Sequence, residues 1–192
     1  MKLIIASNNQ HKILEIKNIL GDRFSEIISL KEANISHEVV EDGNTFMENA
    51  YKKAKEISDM CGVAALADDS GICVDALGGA PGIYSARFSG GSDDDNNALL
   101  LEKLRGVSNR GAHYTCAMSL VFPDGKEIFS EGYMYGDITE APVGDGGFGY
   151  DPLFIPTGES RTVAEMSAEE KNAISHRANA LLLLVKKLDG EG

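Results

Sequence analysis

The sequence predicts an α/β fold, and three stretches carry that expectation. The chain opens on the apolar run KLIIA, followed by SNNQHKILEIKNIL, where Ile13, Ile16, Ile19 and Leu20 recur at helical spacing. Further on, VAALADDSGICVDAL is apolar with too little alternation for an exposed strand. HYTCAMSLVFPDGKEIFSEGYMYG then places the turn signal PDG between two strand-like halves. Strands and helices therefore mix along the whole length.

Taken in order, the first strand passes through a polar turn into an amphipathic helix, with Lys12 near the helix N-terminus. A second helix opens at Thr45. Glu48, three residues on, predicts a capping box, and Asn49 and Lys53 share one helical face. VAALADDSGICVDAL reads as two short buried strands joined at Asp68 to Gly71, so the acidic pair is expected at a strand end. After the Gly-rich GGAPGIYSARFSGG, Ser92 caps a helix whose first turn carries Asp93, Asp94 and Asp95, matching the positive end of its dipole. The hairpin follows. Near the end, Ser167 and Glu170 predict another capping box. Ile174, Ala178, Leu181, Leu182, Val185 and Leu188 mark the expected buried face of the C-terminal helical region.

Composition bounds the function. At 192 residues, 43% hydrophobic and 25% charged, the chain suits one folding unit spanning 1–192, with no repeat or low-complexity linker. Its 30 acidic against 18 basic residues, net charge -12, argue against nonspecific binding to nucleic acid or to an anionic membrane. An anionic ligand would need the few cations focused on it. Cys61, Cys73 and Cys116 are odd in number and widely spaced, which fits a reducing compartment better than a disulfide framework or a zinc site. The run LIIA is too short for a signal peptide or a membrane span. A cytoplasmic enzyme or binding protein is the expectation.

Several local matches lose to simpler readings. GDGGFG satisfies G-x-G-x-x-G, but YDP follows it and its proline opposes immediate helix entry. DDDNNALLLEKL begins like a calcium loop, yet Ala98 stands where glycine is required and Leu104 where the bidentate glutamate belongs. There is no G-x-x-x-x-G-K-[ST], and no HExxH. His11, His37 and His113 read as turn or surface residues.

Five polar constellations remain, each with a plain structural alternative. SNNQHK exposes amides at a helix start beside Lys12, or simply caps the helix. In EDGNTFMENAYKKA, Glu41 and Asp42 can supply metal oxygens while Asn49 and Lys53 face a phosphate; the alternative is an exposed turn and a solvated helix face. ADDSG places two carboxylates in buried surroundings, which is costly unless they are paired or bind a metal. GGFGYDPLF offers Phe148 and Tyr150 to stack on a flat base and Asp151 to hydrogen-bond it, or an aromatic core beside a turn. EKNAISHRANA lets Ser175 cap a renewed helix, leaving His176 and Arg177 beside Lys171 as donors, or as surface helix charges.

In this order, SNNQHK, EDGNTFMENAYKKA, LADDSGICVDALGGAPGIYSARFSG, GGFGYDPLF and EEKNAISHRANAL closely resemble the inosine/xanthosine triphosphate pyrophosphatase family, which removes noncanonical purine nucleotides. The resemblance implies an elongated mixed β-sheet with flanking helices, two lobes around a central substrate cleft, and a homodimer. It further implies hydrolysis of a purine nucleoside triphosphate (ITP, dITP or XTP) to monophosphate and pyrophosphate with Mg2+. Carried over position by position, it assigns Ser7, Asn8, Asn9, Gln10, His11 and Lys12 to substrate, with Asn49 and Lys53 on the phosphate side. Glu41 and Asp69 are implied metal ligands, Asp68 assists them, and Asp69 is the implied base. Ser70, Phe148, Gly149, Tyr150, Asp151, Lys171, His176 and Arg177 are implied substrate contacts. Tyr150 stands where some members have tryptophan, and Asn8 where glycine is frequent. A Maf-like pyrophosphatase and a noncatalytic nucleotide sensor are the rival readings.

Overall fold

Alternation along the first strand decides the layering. In the computed structural model, which describes residues 1–190, β1 (Lys2–Ile5) pairs in parallel with β2 (Glu26–Ser29) and with β3 (Ala64–Val74). Successive side chains of a strand point to opposite faces. Leu3 and Ile5 accordingly pack with Ile13, Ile16 and Leu20 of α1 (Gln10–Leu20), and with Leu181 and Leu184 of α5 (His176–Leu188). Ile4 packs instead with Ala54 and Ile57 of α2 (Phe46–Cys61). A strand covered on both faces is a continuous apolar run, which is what KLII supplies.

The same alternation continues along β3, where Ala64 and Leu66 join the α1 side and Ala65 and Ala67 the α2 side. The sheet has six strands in the order β2-β1-β3-β4-β5-β6, with β4 (Gly111–Val121), β5 (Glu127–Ile138) and β6 (Phe154–Pro156). It is mixed, because β6 runs antiparallel to β5. Phe122 and Lys126 close the β4–β5 turn, with Gly125 at φ +88°, a region glycine enters without steric cost.

The chain divides into two compact units. The first takes Met1–Asp69, Cys116–Gly132 and the segment from Arg177 onward, and holds the cores just described. The second takes Ser70–Thr115 and Tyr133–His176. Its core gathers Ile72 and Val74 of β3, Tyr114 of β4, Met134 and Ile138 of β5, and Leu100 of α3 (Asp93–Lys103). Gly136 of β5 has no alternative there, since a Cβ would meet the Ile155 carbonyl oxygen at 2.2 Å.

Most predicted helix starts are present with their caps. Ser92 opens α3 and Ser167 opens α4 (Ala168–Ile174), both as reciprocal capping boxes. At α2 the box is incomplete. Thr45 accepts from the Glu48 amide, but the Glu48 carboxylate turns to the Asn44 amide.

Two expectations are corrected. β3 is one continuous strand through Asp68 and Asp69, not two strands joined there, so the acidic pair lies mid-strand. On α5, Leu182 is 53% exposed while Ala180 and Leu184 are buried, so the buried face is turned to one side of the expected one.

Candidate active site

In the first unit, charged groups converge on β3 from both faces. Asp68 follows the alternation to the α1 side. Its Oδ2 lies 2.9 Å from Lys12 Nζ and 3.5 Å from Arg177 Nε, with the Cys116 thiol at 3.9 Å. Asp69 points to the α2 side, where its Oδ2 accepts from Asn49 Nδ2 at 3.0 Å. Asn49 is itself fixed, since its Oδ1 accepts the Gly43 amide at 2.8 Å. One turn along α2, Lys53 donates to the Asp68 carbonyl at 2.7 Å and pairs with the Glu41 carboxylate. Asn49 and Lys53 thus use the shared face that their spacing predicts.

Around Asp69, burial and the Lys53 charge act against each other. Burial raises the Asp69 carboxyl's pKa above the ordinary value, Glu41 adds to the rise, and Lys53 and Asn49 oppose it. Burial opposes the charge on Lys53, yet the Asp68 and Glu41 carboxylates raise its pKa overall. Arg177 is fully buried and donates to Glu15 Oε2 at 2.5 Å.

The two acidic side chains leave the strand on opposite faces. Consecutive strand residues face opposite ways, so Asp68 and Asp69 present their carboxylates to different partners. Among the described residues, no three His, Cys, Asp or Glu side chains gather closely enough to hold a metal alone. Mg2+ commonly takes one or two carboxylates and completes its shell with water and substrate phosphates. Glu41 and Asp69, two hard oxygen donors close enough for one to raise the other's pKa, fit that requirement.

The SNNQHK turn is built around its own cap. Asn9 Oδ1 accepts the His11 and Lys12 amides, and Ser7 Oγ accepts the Asn9 amide. Asn8, Asn9, Gln10 and His11 are exposed.

In the second unit, Asp151 is the hub. It is 3% exposed and accepts from Lys171 Nζ at 2.9 Å, the Phe148 amide at 3.1 Å and the Tyr114 hydroxyl at 3.2 Å. Lys171 Nζ also sits 4.4 Å from the Phe148 ring centroid. His176 stacks on Tyr114 at 4.7 Å, with 11° between the rings. Gly149 is clamped from α3, its amide donating to Asp93 and its carbonyl accepting from Asn97. Tyr150 is 4% exposed and its hydroxyl donates to the Ser85 carbonyl. It therefore anchors the loop. Phe148 is the half-buried ring of the two. Ser70 is likewise half-buried, on β3 directly after Asp69.

Sequence reasoning missed four contributors: Glu15, Asp93, Asn97 and Tyr114. Glu15 had a signal, standing three residues after Lys12 on α1, and Asp93 was read only as a helix-dipole residue. Asn97 and Tyr114 carry no local mark, because their partners are distant in sequence.

The geometry can be set beside known proteins. A dITP/XTP pyrophosphatase of Clostridium perfringens is 50% identical over 98% of this chain and 98% of its own length. The Ham1 protein structure from Staphylococcus aureus covers 100% of both chains with TM-score 0.90 and 40% identity. That of the HAM1 protein from Coxiella burnetii covers 99% of each, with TM-score 0.90 and 36% identity. The Ham1 family profile matches residues 3–187. The resemblance first carried by five short motifs thus extends over nearly every element, and the chain belongs to the Ham1 family.

Proposed function

We propose that this protein hydrolyses noncanonical purine nucleoside triphosphates (ITP, dITP and XTP) to the nucleoside monophosphate and pyrophosphate. The observation that carries the reading is Asp69, a buried carboxylate held by Asn49 and surrounded by Lys53 and Glu41. The activity named for the Clostridium perfringens relative agrees with it.

In this reading Lys12, Lys53, Glu41 and Asp69 handle the phosphates. A water oxygen attacks the α-phosphorus, the bond to the bridging oxygen breaks, and pyrophosphate leaves. Asp69, its carboxylate fixed by Asn49, orients that water and takes its proton. Lys12 and Lys53 supply positive charge for the triphosphate, in a protein that is otherwise strongly acidic. Glu41 and Asp69 would hold Mg2+, whose chemistry is to neutralise phosphate oxygens and acidify bound water. No covalent enzyme nucleophile is needed.

Phe148, Lys171 and His176 handle the base. Phe148 supplies a π-face, and Lys171 and His176 supply donors that suit the position-6 carbonyl of hypoxanthine and xanthine. Adenine presents an amino group there and would set donor against donor. Arg177, buried between Glu15 and Asp68, serves as an anchor in this reading and not as a contact to the base.

We also place the protein in the cytoplasm, as a homodimer acting on a small-molecule substrate, without nucleic acid polymer or membrane as partner. The odd number and wide spacing of Cys61, Cys73 and Cys116 support the reducing compartment. No described helix is long and apolar enough to cross a membrane. Light scattering of the purified chain tests the dimer.

The deciding experiment measures pyrophosphate released from ITP, dITP, XTP, ATP, GTP and pyrimidine triphosphates, with and without Mg2+. Release from the first three, with ATP and GTP spared, is the expected result. Pyrimidine preference would instead favour the Maf-like reading. Tight binding without turnover would make the protein a sensor.

A further inference from the structure

Tyr114 is buried in the second unit, 6% exposed, and neither composition nor local pattern singles it out. Its hydroxyl donates to Asp151 Oδ1 at 3.2 Å. The other oxygen, Oδ2, accepts from Lys171 Nζ and from the Phe148 amide. Its ring lies flat on His176 at 4.7 Å, and the Phe154 ring meets it edge-on at 4.8 Å and 66°. One side chain therefore touches two separate arms of the proposed base-reading group. The polar arm runs from the hydroxyl through Asp151 to Lys171 and Phe148. The other arm is the stacked imidazole.

A ring that merely filled the core would need no hydroxyl, and Phe would pack as well. The hydroxyl instead completes the acceptor set of a nearly buried carboxylate that also holds a lysine ammonium. Burial, with Asp151 beside it, lifts the Tyr114 pKa well above the usual tyrosine value, so the phenol stays protonated and remains a donor.

We infer that Tyr114 is a positioning residue for base selection, aligning Lys171 and Phe148 through Asp151 and fixing the plane of His176 by stacking. The inference rests on the function proposed above and adds a residue that acts only through others. It acts on binding and selection of the base, not on proton transfer at the phosphorus.

Two variants separate the arms. Tyr114→Phe removes the hydroxyl and keeps the ring, while Tyr114→Leu removes both. Tyr114→Phe is expected to raise KM for ITP about tenfold and to lower the ITP-to-ATP ratio of kcat/KM by a similar factor, with kcat changed by less than about threefold. Asp151→Asn should produce the same pattern, and the double variant should add little to either, since both interrupt one arm. A merely structural tyrosine would lower the melting temperature and leave the ratio alone.

Proton NMR reads the geometry without substrate. The chain has four histidines, so the His176 ring signals can be assigned by their loss in His176→Asn. Ring-current displacement of those signals should persist in Tyr114→Phe and vanish in Tyr114→Leu. The Phe148 amide signal should move in Tyr114→Phe, and should not move further when the substitution is made in Asp151→Asn. An unchanged ITP-to-ATP ratio in Tyr114→Phe, or an equal loss of kcat on both substrates, overturns the inference. A wild-type protein that fails to hydrolyse ITP overturns the proposed function instead. In that case the two NMR readouts still decide whether Tyr114 holds Asp151 and His176.

Discussion

Asp68 and Asp69 are consecutive residues of one strand, and their carboxylates are held from opposite faces of the sheet. Lys12 and Arg177 hold the first, and Asn49 the second. Substituting them should therefore give different phenotypes. Asp69→Asn keeps the side chain's size and its contact with Asn49 but cannot take a proton, so turnover should fall about 10²–10⁴-fold with little change in melting temperature. Asp68→Asn leaves Lys12 and Arg177 facing a neutral amide in a buried position. Its main effect should be lost stability, about 3–5 kcal/mol. Thermal unfolding and single-turnover assays of both variants check this, and near-normal catalysis by Asp69→Asn would remove it from the chemistry.

Lys53 ties Glu41 to the Asp68 carbonyl, and in the proposed reaction it exchanges part of that role for the triphosphate. Lys53→Met preserves the aliphatic stem and removes the charge. KM for the triphosphate should rise at least tenfold, because a cation is lost from an acidic protein's anion site. Affinity for the monophosphate product should change less. Isothermal titration with both ligands separates the two, and equal losses would place Lys53 away from the leaving phosphates.

How much of this was legible in the sequence follows from where each partner lies. Asn9, Ser92 and Ser167 cap their helices with residues two or three positions away, so helix starts could be read directly. Asp68, Asp69, Ser70 and Gly71 resemble a turn by the same local logic, and the expected break in β3 was wrong for that reason. What keeps the strand continuous is remote: Lys12, Asn49 and Arg177 supply the partners that make mid-strand carboxylates tolerable. Leu182 was misplaced for a different reason: it is four residues from buried Ala178 on the same helix, and spacing alone does not fix which side of the apolar stripe is covered. The Asp151 hub was visible only as a motif, since Tyr114 precedes Asp151 by 37 residues and Lys171 follows it by 20.

A pH-dependent element lies away from the proposed site. The Glu32 carboxylate accepts the Ser29 amide at 2.6 Å and the Lys17 ammonium at 2.9 Å, joining the end of β2 to α1. These contacts, led by the Ser29 amide, hold its pKa at about 2, against the ordinary 4.5. A depressed carboxyl pKa contributes stability that is fully present above the ordinary value and is lost as pH falls through the folded one. The contribution should thus be complete above pH 4.5 and disappear as pH falls towards about 2. Because the group is exposed, the effect should be small and weakened by salt. Carbon-detected titration of Glu32 checks it. A midpoint near 4.5 would show that the Ser29 and Lys17 contacts do not persist in solution.

Arg177 carries the last prediction, and here two roles give opposite results. Its side chain is 1% exposed, between Glu15 at 2.5 Å and Asp68 at 3.5 Å, and those partners' side chains are 12% and 1% exposed. Removing one member of a buried ionic group strands the charges it neutralised, which costs about 3–5 kcal/mol. Arg177→Met should therefore lower the melting temperature by roughly 10 °C, given about 2–4 °C per kcal/mol for a chain of this size. Glu15→Gln should lower it less, because Asp68 still faces the guanidinium. In a double-mutant cycle the two substitutions should couple by about 1–3 kcal/mol. An arginine that instead read the purine would behave differently. Arg177→Met would then keep its melting temperature and lose the preference for ITP over ATP. Unfolding curves and substrate ratios for the same three variants decide between an anchor and a reader.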